Sequence, residues 1–247
     1  MQYMGSKARF AKHIAPIVNE AVKKSNGVLV EPFCGGCNLT THFEGKIIAN
    51  DLNKNLIDLF KEAISGREFP DFVSGEMYEE ARNGNLDDAL TAYIGFCASY
   101  SGKYFAGYVG NNYLSERVRI RNYQREAINN FLLTVEGLRS MRDLEFSSLP
   151  YYDLEIKEGG VVYCDPPYFG TTGYKTGEFD HERFWKWAEA VSEHSTVFVS
   201  EYTTLSDFFC AGVGEGRPSI TVQNGKESNR KIIHQYIKLK NYAAFIY

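Results

Sequence analysis

Residues 161–170, Val-Val-Tyr-Cys-Asp-Pro-Pro-Tyr-Phe-Gly, hold the side chains best suited to chemistry. Residues 160–164 read as a buried strand. Asp165 then falls at the strand's carboxyl end, where open α/β sheets collect their ligands. Pro166 and Pro167 fix φ near about −65° and donate no N–H, so the carbonyls around them are left to accept. Tyr168 follows, held by that stiff turn. A carboxylate, one or two aimed carbonyls and a ring face suit a planar group carrying –NH2. The acceptors take its two hydrogens and the ring stacks on its face. A lone Asp-Pro-Pro is more often a stiffened turn with a capping aspartate; Asp-Pro-Pro-Tyr after a buried strand is much more specific.

A second candidate lies at residues 31–37, Glu-Pro-Phe-Cys-Gly-Gly-Cys, where the apolar run 27–33 reads as a buried strand entering a tight turn. Cys34-x-x-Cys37 could mean redox chemistry, a metal, or a loop in which the glycines are the active feature. His42 extends it to Cys-x2-Cys-x4-His, but no fourth ligand follows at a familiar spacing. No metal is therefore expected. Gly35 and Gly36 lack Cβ and let backbone approach a ligand closely. The loop lacks G-x-G-x-x-G, which counts against a nicotinamide cofactor. Asp51 ends a second apolar run, 46–51. It can accept from ribose hydroxyls, as acidic residues after the second strand do in dinucleotide sheets, or simply end the strand or cap the next helix. Glu31 fits either a ligand contact or a hydrogen-bonding brace for the loop.

These residues need elements to position them. Residues 7–24 carry Phe10, Ile14, Ile17, Val18, Ala21 and Val22 at helical spacing, and 53–64 carry Leu56, Leu59, Phe60 and Ala63. Strand, turn, helix, strand and helix within about forty residues begin an α/β sheet. Residues 67–140 are helical by pattern, broken by the loop 99–113, and read as an inserted helical subdomain. Strand character returns at 144–148, 160–164, 196–202, 219–223 and 231–239, with a helix over 181–193. The last two runs, joined by 224–230, suggest a hairpin and a final antiparallel strand. The expected division is a core of 1–66 and 141–247 with 67–140 as the insert.

The 247 residues are 44% hydrophobic and 15% aromatic, enough for a proper core. Five cysteines, an odd number, do not suggest a disulfide framework. No apolar run approaches a membrane span and the first residues lack a secretory signal, so a soluble, cytoplasmic chain is expected, a monomer or weak dimer. The formal net charge of −4 counts weakly against a nucleic-acid partner, but clustered basic residues can override it.

In order along the chain, "YMGSK" (3–7), "VEPFCGG" (30–36), "ANDLN" (49–53), "CDPPY" (164–168) and "VFVSEY" (197–202) resemble the Dam-type DNA-adenine N6-methyltransferases, most closely their compact phage and prophage members. The resemblance covers nearly the whole chain. It implies a Rossmann-like sheet of about seven strands with an inserted target-recognition subdomain, S-adenosylmethionine (SAM) as methyl donor and double-stranded DNA as partner. It matches Tyr3, Lys7 and Asp51 to cofactor-contacting positions, and Asp165 to one touching both cofactor and target base. Glu31, Phe33, Gly35 and Gly36 join the expected cofactor set. Pro166, Pro167 and Tyr168 join Asp165 in the expected catalytic set. Family members commonly carry other small residues where Cys34 and Cys37 stand, which makes the sulfurs incidental. The target adenine must leave the duplex to reach such a pocket.

For DNA, Arg117, Arg121 and Arg125 recur at i, i+4 and i+8, with Arg119 nearby. Read as one helix, they form a basic stripe beside the Tyr/Gly-rich loop of Lys103, Tyr104 and Tyr108. A solvated face paired with Glu116 and Glu126 is almost as good a reading. Residues 170–180 read as a flap over the flipped base. Rival acceptors are cytosine N4, an RNA base or a protein glutamine; a non-catalytic DNA-binding protein is the rival class.

Overall fold

The computed structural model describes residues 1, 3, 5–25, 27–110, 113–114, 120–168, 179–201, 209–216 and 231–238, with side chains described outside 113–114, 120–121, 209–216 and 231–238. A 3-10 turn, Ala8–Phe10, leads into α1 (Ala11–Ser25). Then follow β1 (Leu29–Glu31), β2 (Ile47–Asn50), α2 (Lys54–Ile64), α3 (Gly75–Arg82), α4 (Asp88–Cys97), the short β3 (Tyr113–Leu114) and β4 (Ile120–Arg121), and α5 (Tyr123–Arg139). The chain continues through β5 (Leu144–Ser147), β6 (Val161–Cys164), α6 (His181–Ser192), β7 (Thr196–Glu201), β8 (Phe209–Gly216) and β9 (Lys231–Lys238).

Five strands pair in parallel in the order β5-β2-β1-β6-β7. Beyond β7, β9 runs antiparallel to it and β8 antiparallel to β9. The hairpin partner of β9 is thus Phe209–Gly216; the strand expected at 219–223 lies outside the described residues. Alternate side chains of each parallel strand enter opposite layers, as the pleat requires. Leu29, Ile47, Val161, Tyr163 and Phe198 pack with Ile14, Val18 and Val22 of α1. Val30, Val162, Cys164, Val197 and Val199 pack with Phe184, Trp185, Ala188 and Val191 of α6. Ile17, expected on the inward face of α1, is 42% exposed; the buried stripe runs through Ile14, Val18 and Val22 instead.

The helices of 67–140 bury their apolar side chains with α2 and the loop after β1. Leu56, Phe60, Tyr93, Phe96 and Phe131 form one cluster with Cys34, Cys37 and Ala49. In α4, Ala89 and every residue from Ala92 to Cys97 are buried, the pattern of a helix enclosed by others. The expected arginine stripe does not lie on one helix among the described residues. Arg121 lies in β4, paired with Tyr113, and α5 starts only after Asn122, whose side chain accepts from Arg125 N at 2.9 Å. Arg121 and Arg125 therefore do not share one helical face. Arg117 and Arg119 lie outside the described residues, as does most of the expected flap, 169–178. No helix among the described residues is long and apolar enough to cross a membrane.

Candidate active site

The parallel strands deliver their last residues to one edge, and two aspartates sit there in different surroundings. Asp165 directly follows β6. Its carboxylate meets the ammonium of Lys7, from the far end of the sequence: Nζ is 2.8 Å from Oδ1 and donates to Oδ2 at 2.9 Å. The same ammonium donates to the Gly5 carbonyl at 3.0 Å and lies 4.5 Å from the centroid of the Tyr168 ring. The Lys7 side chain is only 5% exposed, whereas that of Asp165 is 18% exposed, although its Oδ1 is buried. Burial raises the Asp165 pKa above the ordinary carboxylate range, and the Lys7 charge opposes that rise. Burial, then the Asp165 charge, push the Tyr168 hydroxyl well up. The stiff Pro166-Pro167 turn sets carboxylate and ring around one cation. Lys7 is not in α1; it precedes the 3-10 turn, which frees its stem to reach across to β6.

Asp51, after β2, is held by main chain. Oδ2 accepts from Gly35 N at 3.0 Å and Oδ1 from Asn53 N at 2.9 Å. Burial raises its pKa, and these two N–H groups oppose the rise. It does not cap α2; Asn53 does, accepting from Leu56 N at 3.3 Å. Asp51 instead fastens the glycine loop to the end of β2. Gly35 has φ +48°, and a Cβ there would stand 2.8 Å from the Tyr3 ring; one on Gly36 would meet Tyr3 and the Asn38 side chain at 2.8 and 2.9 Å. The close approach that these glycines permit in this structure is thus that of Tyr3, whose ring rests 5.5 Å from Phe96.

Glu31 is 2% exposed and accepts from the Thr40 hydroxyl at 2.6 Å; burial raises its pKa to about 8. In this geometry it braces the loop. Phe33 joins an aromatic cluster, 5.5 Å from Tyr151 and 5.8 Å from both Phe179 and Phe184. Cys34 and Cys37 are buried free thiols, both directed at the Gly35 carbonyl. Among the described residues no group of three or more His, Cys, Asp or Glu is placed to hold a metal.

The sequence reading missed Asn50. It is fully buried and donates to the Pro32 and Leu149 carbonyls at 3.0 and 2.9 Å. It accepts from the Ser147 hydroxyl and Leu149 N at 2.8 and 2.9 Å, joining the ends of β1, β2 and β5. The available signal was an amide at the close of an apolar strand, where an unpaired polar group would be costly.

Of the residues expected on DNA, Tyr104 packs on Phe96 and Phe105 at 4.9 and 4.7 Å, and the Tyr108 hydroxyl donates to the Val73 carbonyl at 2.9 Å. Lys103 is half-buried, and Arg125 is exposed in the first turn of α5. Arg139 bonds the Ala63 carbonyl and so ties α5 to α2.

The parallel sheet, with helices on both faces and its acids Glu31, Asp51 and Asp165 gathered at the strands' carboxyl ends, fits a Rossmann-like methyltransferase. Residues 3–89 match the family described as D12 class N6 adenine-specific DNA methyltransferase. The chain is also 26% identical to the retron Ec67 DNA adenine methylase of Escherichia coli, over 86% of this chain and 75% of that protein. Together these two similarities support a Dam-type adenine methyltransferase. Among solved structures, the rRNA methyltransferase aviRa from Streptomyces viridochromogenes is 12% identical with a TM-score of 0.40, covering 97% of this chain and 88% of that one. The SMU.472 structure, solved in complex with SAH, is 14% identical with a TM-score of 0.35, covering 96% and 56%.

Proposed function

We propose that this chain transfers a methyl group from SAM to N6 of an adenine flipped out of double-stranded DNA. The observation that carries the reading is the arrangement around Asp165: a carboxylate and an aromatic face already set about a nitrogen cation, at the carboxyl end of a central strand. SAM supplies the activated methyl on its sulfonium; the residues position and stabilise. The Asp165 carboxylate and the Pro166 carbonyl accept from the target amino group and favour a pyramidal nitrogen. Positive charge grows on that nitrogen during transfer, and Asp165 and the Tyr168 ring stabilise it. Pro167 keeps the turn stiff.

For the cofactor, the residues fit at the ends of β1, β2 and β5. Leu52 and Leu149, 57% and 45% exposed, stand beside Asp51 and Asn50 and offer apolar surface to a purine. Each Asp51 oxygen keeps a lone pair for ribose hydroxyls beyond the backbone bond that it accepts. Tyr3, Lys7, Phe33, Gly35 and Gly36 complete the proposed set, with Glu31 bracing the loop from beneath.

The same reading takes β8 and β9 as the sixth and seventh strands of the methyltransferase sheet, and 67–140 as the target-recognition insert on a core of 1–66 and 141–247. Its proposed DNA-facing residues are Lys103, Tyr104 and Tyr108 on a loop, Arg121 on a short ladder and Arg125 at a helix start, together with Arg117 and Arg119. Isotope-labelled SAM offered with duplex DNA, RNA or protein tests the reading. Label recovered as N6-methyladenine from duplex DNA is expected. Label confined to cytosine, RNA or a protein amide would replace it with one of the rival acceptors.

A further inference from the structure

The Lys7 ammonium occupies the place that the proposed reaction assigns to the target amino group. It touches the carboxylate that should accept from that group and stands over the ring on which the base should stack. Both cannot be there at once. An ammonium carries three N–H donors, and here it has the two carboxylate oxygens and the Gly5 carbonyl within 3.0 Å, with a π face beside them. That gives one primary ammonium two hydrogen bonds, an ion pair and a ring face, assembled from two segments 158 positions apart.

We propose that the cradle formed by Asp165, Tyr168 and the Gly5 carbonyl is a built site for a primary ammonium, held in the resting protein by Lys7, and that the target amino group enters by displacing it. The second half rests on the adenine-methyltransferase reading; the first does not. The physical logic is charge balance. A carboxylate buried without a partner is costly and takes up a proton, and a protonated Asp165 is a poor acceptor. Lys7 keeps Asp165 ionised while the pocket waits. The displacing amine then meets a carboxylate already in the required state, and becomes cationic itself as transfer proceeds.

Chemical rescue tests the site without DNA or SAM. Lys7→Ala removes three methylenes and the ammonium, the shape of n-propylammonium. At about ten times its dissociation constant, n-propylammonium should raise the melting temperature of Lys7→Ala by roughly 3–6 °C over equal sodium chloride. Neutral n-propanol should not, and neither the wild type nor Lys7→Ala/Asp165→Asn should respond to n-propylammonium. Equal responses in all three proteins, or in the double variant, would overturn the ammonium site. If Lys7→Ala does not fold, Lys7→Met with the ammonium ion replaces it under the same criteria. For displacement, n-propylammonium should raise the KM of Lys7→Ala for target DNA and leave that of the wild type unchanged. An unchanged KM in a variant that demonstrably binds n-propylammonium would overturn displacement. Failure to methylate any acceptor would instead sink the functional reading and leave the melting result standing.

Discussion

Asp51 and Asp165 are both half-buried aspartates placed directly after parallel strands, yet they are held in opposite ways. Asp51 is bonded by two backbone N–H groups of its own neighbourhood. Those donors are fixed by the fold, so the carboxylate organises the glycine loop and keeps its geometry. Asp165 is bonded by a side-chain ammonium at the end of a flexible stem. That donor can leave. The strand end that should hold a cofactor is therefore braced by main chain, and the one that should meet a reacting group is braced by a replaceable partner. Charge that develops only in a transition state is best met by a group whose resting partner can be exchanged.

The largest effect expected from breaking this contrast is at Asp165. Asp165→Ala should lower turnover on the order of a hundred- to a thousand-fold while leaving DNA affinity largely intact, because phosphate contacts elsewhere supply most of that affinity. Single-turnover rates beside a binding isotherm would show it; parallel losses in both, with a lowered melting temperature, would return the turn to a structural role.

Next is Lys7. Burial pushes the Asp165 pKa up and the Lys7 charge holds it down. Removing the charge in Lys7→Met lets the pKa rise further, so a larger share of Asp165 is protonated at any given pH. Transfer needs the ionised form, so the acid limb of the kcat/KM profile, which reports the free enzyme where Lys7 still faces Asp165, should move to higher pH. A limb that stays in place would separate Lys7 from the state of Asp165.

Asp51→Ala should weaken SAM binding about tenfold or more, the contribution of one or two charge-assisted hydrogen bonds. Calorimetry would measure it, and unchanged affinity would remove Asp51 from the cofactor site. The smallest effect is at the sulfurs. Cys34→Ser with Cys37→Ser should keep most activity, and chelators should change nothing; stoichiometric zinc in the purified protein would contradict this.

How much of this was readable beforehand depends on distance along the chain. The Asp165 turn and the glycine loop were legible because each is a local pattern on a buried strand. The meeting of Lys7 with Asp165 was not, since nothing in residues 3–7 specifies a partner at 165. Asn50 was passed over because its four bonds reach two segments distant in sequence, at Pro32 and at 147–149. The arginine stripe misled because a four-residue spacing persists across a strand and a helix start, where it no longer means one face. Phe209–Gly216 was missed because Gly212, Gly214 and Gly216 alternate with Val213 and Glu215, against the usual strand composition.

The most direct test of the contrast is the single-turnover rate of wild type, Asp51→Ala and Asp165→Ala on duplex DNA as SAM is raised to saturation. If Asp51 serves the cofactor site and Asp165 the transfer itself, Asp51→Ala should climb to near the wild-type rate at saturating SAM, and Asp165→Ala should stay slow at every concentration. A folded Asp165→Ala that reaches the wild-type rate, or an Asp51→Ala that binds SAM fully and remains slow, would contradict the account.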